Sequence, residues 1–135
     1  MQMSIIMTTA TLEHVNYTVS NAAETAQTLC KLFGWAVRWE GEAMNGVGYT
    51  IHVGNESSYL ALYEPKDQSG RNIDSSHITA GGLNHVAVVV DDIDAMEAQV
   101  KAAGYHPQNH GDYEPGRRFY FDGDDGVEFE IVSYT

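Results

Sequence analysis

The chain has 135 residues, 43% of them apolar, enough to enclose one core without disulfide or metal staples. Nineteen acidic against seven basic residues give a formal charge of −12, which argues against nucleic acid or an anionic membrane surface as a partner. Cys30 is the only cysteine, which excludes an intramolecular disulfide and a thiolate metal cage.

No apolar run approaches the ~20 residues that span a bilayer, and the opening residues lack a basic, apolar leader pattern. The expected location is therefore the cytoplasm. Residues 12–19 alternate as a strand, with His14, Asn16 and Thr18 on one face and Val15, Tyr17 and Val19 on the other. Asn21 reads as a helix N-cap, with Glu24 three residues later as in a capping box. Ala22, Ala26, Leu29, Cys30 and Phe33 follow at helical spacing, and Gly34 ends the helix. Strands are expected over Trp35–Trp39, Gly48–Val53 and Tyr59–Tyr63, between Glu/Gly/Asn/Ser turns. A polar, breaker-rich linker covers 65–81.

The order then repeats. Leu12-Glu13-His14-Val15 returns as Leu83-Asn84-His85-Val86, a shift of 71 residues from His14 to His85. After the strand 83–90, Asp91 or Asp92 caps a helix carrying Ile93, Met96, Val100 and Ala103, ended by Gly104. A short extended piece near His106, a loop through Gly111 and Gly116, a strand Arg118–Asp122, a Gly-Asp-Asp-Gly turn and a last strand Val127–Ser133 complete the chain. Tyr49 and Tyr120 keep the same shift. The expected fold is α+β: one domain of two βαβββ modules (10–64 and 82–135) forming a curved mixed sheet, a half-barrel pair, around a cavity.

On the last strand Phe129 and Ile131 must face a helix, which leaves Glu128 and Glu130 on the opposite face. By the same parity His14 and His85 point away from the Val-rich faces. Two imidazoles and one carboxylate entering a common cavity make a 2-His-1-carboxylate set, which holds Fe(II), Mn(II) or a similar divalent ion and leaves positions open for substrate. Each residue alone is more often an ordinary core, surface or strand-edge side chain than a ligand; the repeat and the shared parity are what join them.

Leu12-Glu13-His14-Val15-Asn16-Tyr17 and Gly82-Leu83-Asn84-His85-Val86-Ala87 resemble the module openings of the vicinal oxygen chelate superfamily. Phe119-Tyr120-Phe121-Asp122-Gly123-Asp124-Asp125-Gly126-Val127-Glu128-Phe129-Glu130-Ile131 is similar to its closing signature, except that Asp124-Asp125-Gly126-Val127 departs from the D-P-D-G-N turn. The resemblance covers residues 12–135. It implies His14, His85 and Glu130 as metal ligands, and places a fourth ligand position at Ala61, or at Tyr59 if the shift of 71 holds throughout. Neither residue suits a metal, which matches the three-ligand branches (extradiol dioxygenases) better than glyoxalases. It also implies a substrate-contacting role for Tyr120, whose plain alternative is packing in the barrel wall.

Further pocket candidates are Asn16, Tyr49, Tyr59, Ala61, His110, Arg118 and Glu128. His110, in the glycine-rich stretch, reads as a general base or as a solvated loop residue. Arg118 reads as a seat for an anionic group or as local charge balance. The expected function is a divalent-metal enzyme on a small oxygen-rich substrate, an aromatic diol being the most concrete version. Fe(II) or Mn(II) are favoured over Zn(II) or Ni(II). The alternatives are a non-catalytic small-molecule binding or resistance protein and a glyoxalase-type lyase. Partners are a small molecule and a second copy in a homodimer, with no nucleic acid and no membrane.

Overall fold

A computed structural model describes residues 9–43, 46–70, 75–113 and 116–135. The first eight residues, on which the reading of the chain's start rests, and 71–74 of the expected linker lie outside them. The order is β1 (His14–Thr18), α1 (Ala22–Phe33), β2 (Ala36–Glu42), β3 (Gly48–Gly54) and β4 (Tyr59–Pro65). A second round follows as β5 (Val86–Val89), α2 (Ile93–Ala102), β6 (Gln108–Tyr113), β7 (Gly116–Asp122) and β8 (Glu128–Ser133). Each round builds one four-stranded sheet, ordered β1-β4-β3-β2 and β5-β8-β7-β6. The two βαβββ modules are present as expected. They form two separate sheets with the helices between them and do not close a barrel. Among the described residues no helix is long and apolar enough to cross a membrane.

Local chemistry fixes the helices. The Asn21 side chain accepts from the Glu24 backbone N–H, and Gly34 closes α1 in the left-handed region at φ 69°. Asp92, rather than Asp91, caps α2 through the Ala95 N–H. Ala22, Ala26, Leu29 and Leu32 of α1 are buried against β3 and β4. Cys30 packs at the edge of the same core, and burial pushes its thiol pKa up, as expected of an inert thiol.

Both modules share a single core. Phe33 of α1 lies 5.9 Å from Phe129 of β8, which stacks on Phe121 of β7 at 5.4 Å. Leu62, Val53, Val100, Phe119 and Ile131 complete it, each fully buried. With their apolar faces turned inward on the helices, the two sheets leave their other faces uncovered by a helix among the described residues, although Ala61, Glu130 and Val132 on those faces are buried.

Two expectations need correction. The stretch before Arg118 is not an extended piece and a loop but the strand β6, paired with β7 through a register shift between Gln108 and Gly111. Asn109 at φ 54° makes that shift, and a bulge in a polar, glycine-containing strand hides the alternation that marks strands. The second concerns the repeat, whose spacing is not constant. The register pairs Asn16 with Ala61 in one sheet and Ala87 with Glu130 in the other. His52 pairs with Ala61 as Tyr120 pairs with Glu130. The shift is thus 71 residues at the first strand, 69 from Ala61 to Glu130, and 68 from His52 to Tyr120.

Candidate functional site

The open face of the second sheet carries Ala87 and Val89 of β5, Glu128 and Glu130 of β8, and Arg118 and Tyr120 of β7, as the register requires. His85, just before β5, continues that face. Its Nε2 lies 3.1 Å from Glu130 Oε1, while its Nδ1–H donates to Asn84 Oδ1 at 2.7 Å. The other carboxylate oxygen, Glu130 Oε2, accepts from Arg118 Nη1 at 2.9 Å. Tyr120 stands edge-on to the His85 ring at 5.8 Å. Burial, reinforced by the charge of Glu130, raises the Tyr120 pKa, so its phenol is held as a hydrogen-bond donor.

This half suits a divalent ion. Donor atoms bound at 2.0–2.2 Å to one ion at right angles stand roughly 3 Å apart, the separation His85 Nε2 and Glu130 Oε1 already have. Each group also has its remaining polar atom engaged, His85 by Asn84 and Glu130 by Arg118. Such partners orient metal ligands and raise their basicity.

His14 stands on the other sheet. The open face there holds His14 and Asn16 of β1, Tyr59 and Ala61 of β4, His52 of β3 and Trp39 of β2. His14 repeats the arrangement of His85: its Nδ1–H donates to Glu13 Oε1 at 2.8 Å, which leaves Nε2 uncommitted. Its hydrogen bond holds the Glu13 carboxyl below the ordinary range, helped by one from the Tyr59 hydroxyl. The Tyr59 ring stacks with both imidazoles, 4.7 Å from His14 and 4.5 Å from His52, which are themselves 6.3 Å apart, so the three nearly parallel rings form a cluster. Trp39 packs on His52 at 5.1 Å, and Arg38 covers Tyr59 at 4.4 Å. Burial lowers the His52 pKa, with the nearby His14 and Arg38 adding to it.

Among the described residues no three His, Cys, Asp or Glu side chains gather as a metal set. His85 and Glu130 are together, and His14 does not join them as a third donor. A groove of about 300 Å³ borders both His14 and His85, with Leu12, Tyr59 and Leu83, but Glu130 does not line it.

The remaining candidates divide by face. Asn16, Tyr59 and Ala61 lie on the His14 face, and Arg118, Tyr120 and Glu128 on the Glu130 face. Glu128 is engaged by His77 of the connecting segment at 3.3 Å. Tyr49 shares the helix-packed face of Ile51 and donates to Glu40 at 2.8 Å. Tyr49 therefore does not share a face with the other pocket candidates. His110 also turns to the helix side, where Nε2 meets Glu97 of α2 at 3.0 Å and the ring stacks on Phe119. It is not near Glu130. His52, Glu13 and Asn84 were not anticipated; the last two carried a signal, since each precedes its histidine in the repeat.

The family model of the Glyoxalase/Bleomycin resistance protein/Dioxygenase superfamily matches residues 11–131. The chain belongs to that superfamily. No curated protein sequence matches it. Solved structures of the superfamily fold superpose closely. The glyoxylase/bleomycin resistance protein/dioxygenase domain from Frankia sp. EAN1pec has a TM-score of 0.77 at 18% identity, over 93% of this chain and 98% of that one. The trypanothione-dependent glyoxalase I of Leishmania major gives 0.76 at 14%, over 93% and 88%. TnmS3, an antibiotic-binding protein from Streptomyces sp. CB03234, gives 0.72 at 14%, over 96% and 100%. At these identities the likeness is one of fold. The superfamily holds both enzymes and binding proteins.

Proposed function

We propose that this superfamily member is a divalent-metal enzyme for a small oxygen-rich substrate, working as a homodimer. His85 and Glu130 of one copy and His14 of a second copy hold the ion. The observation that carries the reading is the His85 Nε2 to Glu130 Oε1 spacing of 3.1 Å, with Asn84 and Arg118 fixing the far side of each group. Placement is what supports a second copy. The two half-sites lie on the open faces of different sheets, and those faces expose Trp39 and Val89. A face-to-face pairing of unlike modules covers both patches and completes two equivalent sites.

Three protein donors leave positions for two substrate oxygens and a third ligand, and a bound Fe(II) or Mn(II) supplies Lewis acidity toward those oxygens. The chain's own residues do the rest. Tyr120 stays protonated and donates to a substrate oxygen beside His85. Arg118 keeps Glu130 from turning, and Asn84, by accepting from Nδ1–H, orients the His85 ring with Nε2 toward Glu130. With a dihydroxylated ring as substrate, oxygen-dependent ring opening is the reaction this site accommodates.

A second reading rests on the His14, Tyr59, His52 and Trp39 rings. Stacked and partly exposed, they offer a platform on which a flat ligand binds without turnover.

Protein purified without chelator is analysed for bound metal, and its melting temperature is followed with Fe(II), Mn(II), Ni(II) and Zn(II). The metalloenzyme reading expects a rise that Glu130→Gln abolishes, and oxygen uptake with catechols. No bound ion and no thermal response would leave the binding reading. Mixing His14→Ala with Glu130→Gln protein separates the site's two possible constructions. A site shared between copies regains about a quarter of wild-type sites by random pairing; a site within one chain regains none.

A further inference from the structure

Arg118 carries more hydrogen-bonding capacity than its partner uses. Nη1 donates to Glu130 and the Tyr120 hydroxyl stands beside the guanidinium, but Nε and Nη2 are buried and no polar atom among the described residues meets either in good hydrogen-bond geometry. The side chain is only 14% exposed. A buried donor left unmet is destabilising, so a guanidinium edge with two such donors calls for an occupant. The nearby cations do not share this state. Arg117 is spent on both oxygens of Asp94 on the helix side, and Arg38 lies over Tyr59 in the other module.

The edge has a shape as well as a charge. Nε–H and Nη2–H run nearly parallel and match the two oxygens of a carboxylate, a fit that lysine does not offer. Tyr113 lies against the guanidinium, its ring 4.7 Å from Cζ. Gly111 makes room for it, since a Cβ there would come within 2.6 Å of the Tyr113 ring. Tyr113 is itself 60% exposed, so its contact with the guanidinium is not locked in the core.

We propose that the Nε–Nη2 edge of Arg118 is an anion seat for a small-molecule carboxylate, reached by displacing Tyr113. Joined to the function proposed above, on which this assignment rests, the substrate is a hydroxy-carboxylic acid, its hydroxyl oxygens toward His85 and Glu130 and its carboxylate on Arg118. The anion seat does not require the metal, because Arg118 is not a ligand. The same chemistry has a second source in a carboxylate of another copy of the chain.

The test uses the full, uniformly 15N-labelled chain treated with chelator, with benzoate as probe and benzamide as its neutral counterpart. Arginine Nε–H resonances and the melting temperature are followed through each titration. Benzoate is expected to shift one Nε–H saturably, a signal lost in Arg118→Lys, while benzamide leaves it in place. Arg118→Gln weakens benzoate binding by roughly tenfold or more and Arg118→Lys by less, having lost the fork but not the charge. Tyr113→Ala binds at least as tightly, and Arg117→Gln is unchanged. No saturable response in the wild type, an equal response to benzamide, or full binding by both Arg118 variants overturns the proposal. So does an Nε–H shift that follows protein concentration instead of benzoate, since the occupant is then the second copy's carboxylate. Benzoate binding without metal affinity removes only the metalloenzyme reading; metal affinity without benzoate binding removes only the anion seat.

Discussion

Asn84 and Glu13 hold equivalent places in the two modules, each accepting from Nδ1–H of the histidine that follows it. An imidazole held at Nδ1 in this way has its ring orientation set, and in His85 that orientation turns Nε2 toward Glu130. Asn84→Ala is therefore expected to weaken metal binding by about 10- to 100-fold, measured by competition with a chromophoric chelator. The melting temperature of the metal-free protein is expected to stay close to wild type, because Asn84 is exposed. An unchanged metal affinity would remove Asn84 from the site. His14, His85 and Glu130 were legible in the sequence as candidates because their strands keep strict alternation around apolar cores. His52 was not. A constant shift of 71 pointed from Tyr120 to Tyr49, and the true shift there, 68, differs by an odd number of residues. In a strand an odd slip inverts the face, which is why Tyr49 lies among the helix-side residues and His52 stands where Tyr120 does. At Ala61 and Tyr59 the error was even, so both remain on the open face and the register alone decides for Ala61.

At the scale of elements, the helices were readable to within a residue or two because their caps are chemical. Asn21, Gly34 and Asp92 do what their side chains and backbone freedom suggest. β6 was unreadable because its apolar content is low and its register breaks at Asn109. The segment between α2 and β6 is nonetheless anchored. Tyr105 packs on Phe121 at 5.5 Å and donates to Asp124, in the 3₁₀ turn Asp124–Gly126, at 2.7 Å. Burial first, then the hydrogen bond and charge of Asp124, push the Tyr105 pKa up to about 12. A phenol whose pKa is higher folded than unfolded favours the folded state while it is protonated. Between pH 10, where the unfolded chain begins to lose this proton, and about 12, the folded protein holds more protons than the unfolded one. Its contribution to stability is therefore complete below pH 10 and is lost as pH rises through that window. Tyr105→Phe is expected to lower the melting temperature at pH 8 and to shrink that deficit by pH 11. Parallel melting curves for the two proteins across this range would speak against Tyr105 as the source.

At the scale of the molecule, the question is whether two modules with separate sheets unfold as one. Their helices lie between the sheets, and Phe33, Phe129 and Phe121 run from α1 into the second sheet without a break. The Ser20 backbone N–H donates across the modules to Asp125 at 3.0 Å. A half that opened alone would expose the face of Phe129 and Ile131 together with the facing side of α1. Burial of that shared surface couples the halves and makes a single transition the lower-energy route. Both tryptophans, Trp35 and Trp39, belong to the first module, so their fluorescence reports on that half, whereas far-ultraviolet circular dichroism reports on both. Phe129→Ala, a deletion in the second module, removes a nearly fully buried ring at a cost of about 3–5 kcal/mol. In urea the fluorescence and dichroism midpoints are expected to coincide in the wild type and to move down together in the variant. A fluorescence midpoint that stayed in place while the dichroism midpoint fell would mean that the first module stands without the second. The shared aromatic core would then be a contact surface between two independently folded halves.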